Sequence, residues 1–332
     1  MKKLFDFFKG KKVLVTGGSG FIGTNLVERL QEIEGVQVLN FDIAAPRNHA
    51  HSKYYKCVDI TDYISLKKSF DIFSPSIVIH LAARTDLQGK SIEDYTANTV
   101  GVENLCRLIS ESECVEKACF ASSMLVCKVG YCPSSDIEFS PTTIYGESKV
   151  ISEKIIRSFD STLPNYNIVR PTSIWGPWFK EPYSDFFKMV ISRRYIDIGE
   201  KSCSKTYGYV TNAVHQILEA CMTSSKGSLS YLGDEQPINI SHWANLINGK
   251  VGNSKLITIP FIFFQSGAIV GDLLEKIGVK FPLTSFRLNN MTTDNVIPEV
   301  KLAKLNYFRA TPLEVGVEET LKWLSENTQR KD

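Results

Sequence analysis

The chain has 332 residues, 43% of them hydrophobic and 22% charged, and its 38 basic and 36 acidic residues leave a formal charge of +2. That length can bury one large α/β domain or two lobes, and charge spread this evenly excludes the clustered basic face of a nucleic-acid binder. The absence of low-complexity tracts and of a fixed-period repeat sets aside fibrous and solenoid architectures.

The opening segment "MKKLFDFFKG" carries apolar residues interrupted by Asp6 and Lys9, with no small-residue cleavage site after it. It is too short for a secretory h-region and runs straight into a strand, so a soluble, cytoplasmic protein is expected. Residues 12–23 read "KVLVTGGSGFIG". A β-rich run (Val13, Leu14, Val15) meets glycines, and a helical pattern starts at Phe21 with Leu26, Val27 and Leu30 on one face. Gly17, Gly20 and Gly23 then have distinct tasks: a tight turn, close backbone approach to a pyrophosphate, and close packing of helix on strand. The pyrophosphate would lie at the helix N-terminus, where free N–H groups and the helix dipole favour an anion. A glycine trio alone is often only a turn; one placed between strand and helix is more specific.

The strand "VQVLNF" leads to Asp42, whose carboxylate can accept from adenosine ribose hydroxyls and would repel a 2′-phosphate. This favours NAD over NADP, although Arg47 stands close enough to compensate. Strand-like "YYKCV" leads to Asp59, and "SIVIHLAA", "KACFAS" and "NYNIVRP" follow with helical stretches between them. Continuous apolar strands alternating with helices predict a doubly wound parallel sheet covered on both faces. His80 reads as a packed strand-end residue, and neither the histidines nor the eight cysteines have ligand spacing, so no metal is expected. The cysteines read as small buried thiols in a reducing compartment.

At "TTIYGESKVISEK", Tyr145 is followed four residues later by Lys149 on the same helix face. An ordinary helix-start aromatic and a solvated lysine would also fit. A phenol needs ~3 pKa units, or ~4 kcal/mol, to be half-ionised at pH 7. An ammonium about 4 Å away supplies ~4 kcal/mol at an effective dielectric of 20, and an oxidised nicotinamide adds a second positive charge. Further on, "IPFIFFQSGAIVGDLL" (259–274) is apolar for about four turns, short of the ~20 residues a span needs. It is expected to be a packed helix, with contact to a membrane surface as the alternative.

"TGGSGFIG", "HLAA", "NTVGVENL", "ASSMLV", "YGESK" and "RPTSIWGP" occur in the order and spacing of extended short-chain dehydrogenase/reductases. The chain resembles their NAD-dependent epimerase/dehydratase group, clearly over about residues 11–215 and again in "LAKLNYFRATPLEVGVEETLKWL" near the end. The resemblance implies a Rossmann-type α/β fold with an NAD-binding domain over 1–176 and a smaller C-terminal substrate-binding lobe over 177–332. Segments near 207–245 would return to the Rossmann domain. It implies Tyr145 as acid/base, Lys149 as its partner through the cofactor ribose, and Ser123 bonding the reacting oxygen, with Ser122 a one-residue alternative. Asn98 would prop the site, against a helix-cap role. Cofactor contacts would come from Gly17, Gly20, Phe21, Ile22, Gly23, Asp42, Asp59, Ile60, Leu81, Ala82, Ala83, Asn98, Tyr145, Lys149 and Pro171. Substrate contacts would come from Ser123, Met124, Ser173 and Lys205.

Three departures bear on the reaction. Met124 and Leu125 stand where sugar 4,6-dehydratases carry an Asp-Glu pair, which disfavours dehydration. Ser173 replaces a substrate-holding Asn, and Lys205 replaces an Arg, keeping a point charge without the bidentate fork. The expected activity is nucleotide-sugar 4-epimerisation through transient hydride transfer. The alternatives are a net dehydrogenase or reductase of a keto-sugar nucleotide or steroid-like alcohol, for which Trp175 and Trp178 offer some support, and a non-catalytic dinucleotide sensor. Broad apolar stripes on the helix from Tyr145 (Val150, Ile151, Ile155, Ile156, Phe159) and on the helix of 92–111 (Val100, Val102, Leu105, Leu108, Ile109) suggest pairing across a two-fold homodimer.

Overall fold

In a computed structural model, which describes residues 2–180, 183–276, 278–279 and 283–328, seven strands form one sheet. They are β1 (Lys12–Thr16), β2 (Gln37–Asp42), β3 (Tyr55–Cys57), β4 (Ile77–His80), β5 (Lys117–Ala121), β6 (Asn165–Pro171) and β7 (Ser228–Leu232). Their order is β7-β6-β5-β4-β1-β2-β3, and every neighbouring pair is parallel. Successive side chains point to opposite faces, so Val13 and Val15 enter one core while Leu14 enters the other. Both faces being covered explains why these strands read as unbroken apolar runs.

Helices α1 (Phe21–Gln31) and α5 (Val210–Thr223) cover the first face, burying Leu26, Val27, Leu30 and Ile217. Helices α2 (Tyr63–Phe73), α3 (Val100–Glu111) and α4 (Ile144–Ser158) cover the second with Leu66, Leu105 and Ile156. The winding direction reverses between β1 and β4, which opens a crevice at the carboxyl ends of the strands.

Beyond Trp175 the chain builds a smaller lobe that includes α6 (Phe261–Lys276), α7 (Ser285–Thr292) and three two-stranded ribbons. Within this stretch, β7 comes back to pair with β6 at the sheet edge. No helix among the described residues is long and apolar enough to cross a membrane.

Several expectations need correcting. The single helix expected over 92–111 is a 3₁₀ turn, Ile92–Asn98, followed by α3. The break falls where the Asn98 amide is drawn out to bond Ser148 on α4 and the Arg84 backbone. Most of the α3 stripe is buried within the chain: Val102, Leu105, Leu108 and Ile109 pack on the sheet, and only Val100 is exposed. The segment 259–274 does form a helix but packs only some of its large residues, with Phe261, Phe264 and Leu274 half-buried. Ala268 and Gly271 face inward, while Ile262, Phe263, Ile269, Val270 and Leu273 face solvent. Trp175 is fully buried, with its ring centroid 4.9 Å from that of Tyr209 and 5.1 Å from that of Trp243, so it serves packing rather than an apolar ligand. Cys57, Cys114 and Cys132 are exposed, whereas the other five cysteines are buried.

Candidate active site

The glycine turn after β1 has no room for side chains. Gly17 has φ +75°, and a Cβ there would lie 2.5 Å from the Ala82 nitrogen; one on Gly23 would lie 2.2 Å from the Gly17 carbonyl oxygen. The turn is thereby pressed between the end of β4 and the first turn of α1. Gly20 precedes α1 and offers no side-chain cap, which leaves the first N–H groups of the helix for an anion. Phe21 and Ile22 open that helix.

Asp42 ends β2 beside the turn, its two oxygens accepting from the Ser19 and Ala44 N–H groups at 3.0 Å each. Arg47 donates to the Trp178 carbonyl, and burial lowers its pKa against the opposing pull of Asp42. Asp59 accepts from the Thr61 N–H and hydroxyl, both at 2.8 Å, and Ile60 beside it is buried. Leu81 and Ala82 donate their N–H groups to Thr16, at 2.9 Å to its carbonyl and 3.4 Å to its hydroxyl; Ala83 follows, half-buried. Pro171 ends β6. All these positions lie at or just past strand ends along the carboxyl edge of the sheet. Glycines closed to any Cβ, an uncapped helix start and a carboxylate at the end of β2 fit a dinucleotide.

The residues expected to react stand on neighbouring elements. Thr143 caps α4 by accepting from the Gly146 N–H at 3.0 Å, and this places Tyr145 in the first turn. Gly146 is required there, since a Cβ would sit 2.3 Å from the Leu125 carbonyl oxygen. Ser123 follows β5, and its hydroxyl accepts the Leu125 N–H at 3.1 Å and stands near enough to the Tyr145 phenol to act on its pKa. Ser122 turns the other way, donating to Glu153 at 2.5 Å inside the core. Ser123 is therefore the serine at the phenol.

Burial raises the Tyr145 pKa above its ordinary value, and the Ser123 hydrogen bond opposes that rise. Lys149 is fully enclosed and pushed down to about 8 by burial, against the attraction of Glu153. Its Nζ donates to the Ala121 carbonyl at 2.7 Å. The direct ammonium–phenol attraction expected from the spacing is not among the influences on Tyr145 in this structure, because the ammonium is turned toward the end of β5. Asn98 is fully buried, and its side-chain amide ties the Arg84 backbone to Ser148, the neighbour of Lys149. His80 bonds the Thr16 hydroxyl at 2.7 Å and is pushed down to about 3 by burial, so it stays neutral.

One functional group was missed in the sequence. Glu153 lies two turns beyond Tyr145 on the same face of α4. It makes a bidentate pair with Arg170, both at 2.8 Å and both fully buried, and Arg170 also donates to the Tyr231 hydroxyl at 2.9 Å. The signal was present as spacing: Tyr145, Lys149 and Glu153 recur every four residues.

The positions expected to meet substrate divide. Met124 follows Ser123 and packs half-buried against the cluster of Tyr231, Ile297 and Leu302. Ser173 opens a short strand that pairs with Tyr207–Tyr209. Lys205 is half-buried and donates to the Asn290 carbonyl at 2.8 Å, so in this structure its ammonium is held by α7.

Known proteins are similar to this chain in sequence or in fold. A protein from Escherichia coli O157:H7 described as N-acetyl-α-D-glucosaminyl-diphospho-ditrans,octacis-undecaprenol 4-epimerase is 23% identical over 96% of this chain and 97% of its own. A 3β-hydroxysteroid dehydrogenase from Mycolicibacterium neoaurum is 28% identical over 70% of this chain and 68% of its own. The solved UDP-glucose 4-epimerase of Thermotoga maritima, with UDP-glucose, superposes with a TM-score of 0.74 at 19% identity, covering 96% of this chain and 99% of that one. The family model matches residues 13–225, and the chain belongs to the NAD dependent epimerase/dehydratase family.

Proposed function

We propose that this enzyme is an NAD-dependent 4-epimerase of a sugar carried on a diphosphate, with a nucleotide sugar as the first candidate. The observation that carries the reading is the placement of the Ser123 hydroxyl beside the buried Tyr145 phenol, with the enclosed Lys149 one turn further along the same helix. When bound, NAD supplies the hydride acceptor and donor. Tyr145 Oη takes the proton of the sugar hydroxyl and later returns it, while Ser123 Oγ holds the reacting oxygen. Lys149, whose ammonium donates to the Ala121 carbonyl in this structure, would serve the phenol through the cofactor ribose rather than by direct contact. Met124 and Leu125 carry no ionisable group, so the site lacks the acid and base that elimination of water needs.

Asp42 at the end of β2 and Arg47 tied to the Trp178 carbonyl favour an unphosphorylated adenosine ribose, hence NAD over NADP. The carrier on the sugar diphosphate is a nucleoside in the Thermotoga protein and a polyprenol in the Escherichia coli one. A second reading, net oxidation of an apolar alcohol, is supported by the mycolicibacterial relative and by the apolar wall that Met124 forms beside Ser123.

Turnover of a panel containing both kinds of sugar diphosphate and a 3β-hydroxysteroid tests the reading. One sugar diphosphate should be converted to its epimer, and Tyr145→Phe should lower kcat by about 10²–10⁴-fold with NAD affinity nearly unchanged. Near-native turnover by that variant would remove Tyr145 from the mechanism. Steroid oxidation as the sole activity would favour the second reading.

A further inference from the structure

Helix α6 is built inside out for a water-facing element. Its fully buried positions are small, Ala268 and Gly271, with Gly267 so close that an added Cβ would stand 3.3 Å from the Leu283 side chain, while Phe261, Phe264 and Leu274 are half-buried. Its outward side is large and apolar. Ile262, Ile269 and Leu273 are 61%, 60% and 58% exposed, and Phe263 and Val270 beside them are 64% and 50% exposed. Positions 262, 266, 269 and 273 fall on one line of a helix with 3.6 residues per turn, so Ile262, Ile269 and Leu273 align over about 17 Å, with the Ser266 hydroxyl, folded back onto the Ile262 carbonyl, between them. The ribbon that feeds the helix adds the paired residues Ile196 and Ile257, 42% and 65% exposed.

We propose that this face of α6 is a docking surface for an anionic lipid bilayer, on which the helix lies flat. At 16 residues the helix is too short to span, and it carries Asp272 and Glu275. A long apolar stripe with charged residues at its margins is the pattern of an interfacial helix. The margins are mainly basic. Lys255 precedes the helix and Lys276 ends it, both exposed, and Arg193 and Arg194 stand just before the adjoining ribbon, with Arg193 Nε donating to Asn253 at 3.1 Å. Of the two acids on α6, Asp272 accepts from the Ser285 N–H at 2.9 Å and Glu275 is exposed. The basic end is therefore the N-terminal one, while Lys276 stands beside both acids at the other end. An anionic headgroup layer meets the basic end with the opposite sign.

The surface is coupled to the site. Helix α6 packs on α7, whose Asn290 carbonyl accepts from Lys205 and whose Met291 carbonyl accepts from Cys203. Docking would bring the edge of the substrate lobe to the headgroup layer, whichever sugar is turned over.

Flotation of the full-length protein with phosphatidylcholine vesicles, with and without about 30% phosphatidylglycerol, tests the proposal. The wild type should float with the anionic vesicles and release them as salt is raised. Phe263→Asp combined with Leu273→Asp should lower the bound fraction about tenfold, with NAD binding and solution mass unchanged. Lys255→Glu combined with Lys276→Glu should abolish the preference for phosphatidylglycerol. A wild type that stays in the lipid-free fraction would overturn the proposal, as would an aspartate variant that floats equally well. A fall in solution mass in the aspartate variant would assign the face to a second copy instead. Vesicle binding is read without substrate, so failure here leaves the catalytic reading standing.

Discussion

Lys149 illustrates how one residue's environment sets both stability and chemistry. Its ammonium gives up its proton near pH 8 in the folded protein, against an ordinary 10.5. Between those values the unfolded chain binds more protons, so this group makes stability rise with pH. From pH 7 to pH 9 the gain is about 1 kcal/mol for a folded pKa near 8. Lys149→Met removes the titration, so the stability of the variant relative to wild type should fall by about that amount over the same interval in urea titrations. Comparing the two proteins cancels buried thiols such as Cys106, pushed up to about 12 by burial, which act oppositely above pH 9. A difference that stays constant from pH 7 to pH 9 would mean that Lys149 is not held in the depressed state.

At the scale of the element, α4 carries Tyr145, Lys149 and Glu153 on one face and ties that face to β6 through Arg170. Glu153→Ala leaves the Arg170 guanidinium buried without its carboxylate and should cost ~3–5 kcal/mol, measured by equilibrium denaturation. A loss under 1 kcal/mol would mean that water, or the Asp136 carbonyl to which Arg170 also donates at 2.7 Å, takes over the guanidinium. The same helix shows what could be read in advance. The spacing of Tyr145 and Lys149 was legible because helical periodicity places them together. The direction of the lysine side chain was not, because the Ala121 carbonyl that receives it comes from a strand distant in sequence. Likewise the split at Asn98 arises from a partner on α4, which local propensity over 92–111 does not encode. The inverted face of α6 was missed because an apolar run looks alike whether it is buried or exposed, and only packing of Gly267 and Ala268 against the lobe fixes the orientation.

For the whole molecule, six of the seven strands were legible, since continuous apolar strands alternating with helices admit few other topologies, whereas the edge strand β7 was covered only by the expectation that segments near 207–245 return to the Rossmann domain. The small lobe was not legible, because its strands are two or three residues long and carry no period. Assembly belongs at this scale too. We propose a two-fold dimer through the outer face of α4, where Phe139, Val150, Ile151 and Lys154 line an open groove of about 830 Å³. Light scattering should give twice the 37.3 kDa chain mass, and Ile151→Glu should yield monomer. A wild-type monomer resistant to concentration would refute the dimer, and a dimer surviving the substitution would refute this surface.

The central claim is reversible redox at one carbon with Tyr145 moving the proton, and it is tested most directly by turnover in deuterium oxide with enzyme-bound NAD. The account predicts interconversion of two epimers, no accumulation of reduced cofactor, and no deuterium at the inverted carbon, because its hydrogen never exchanges with solvent. Reduced cofactor accumulating in step with product, or deuterium at that carbon, would contradict it.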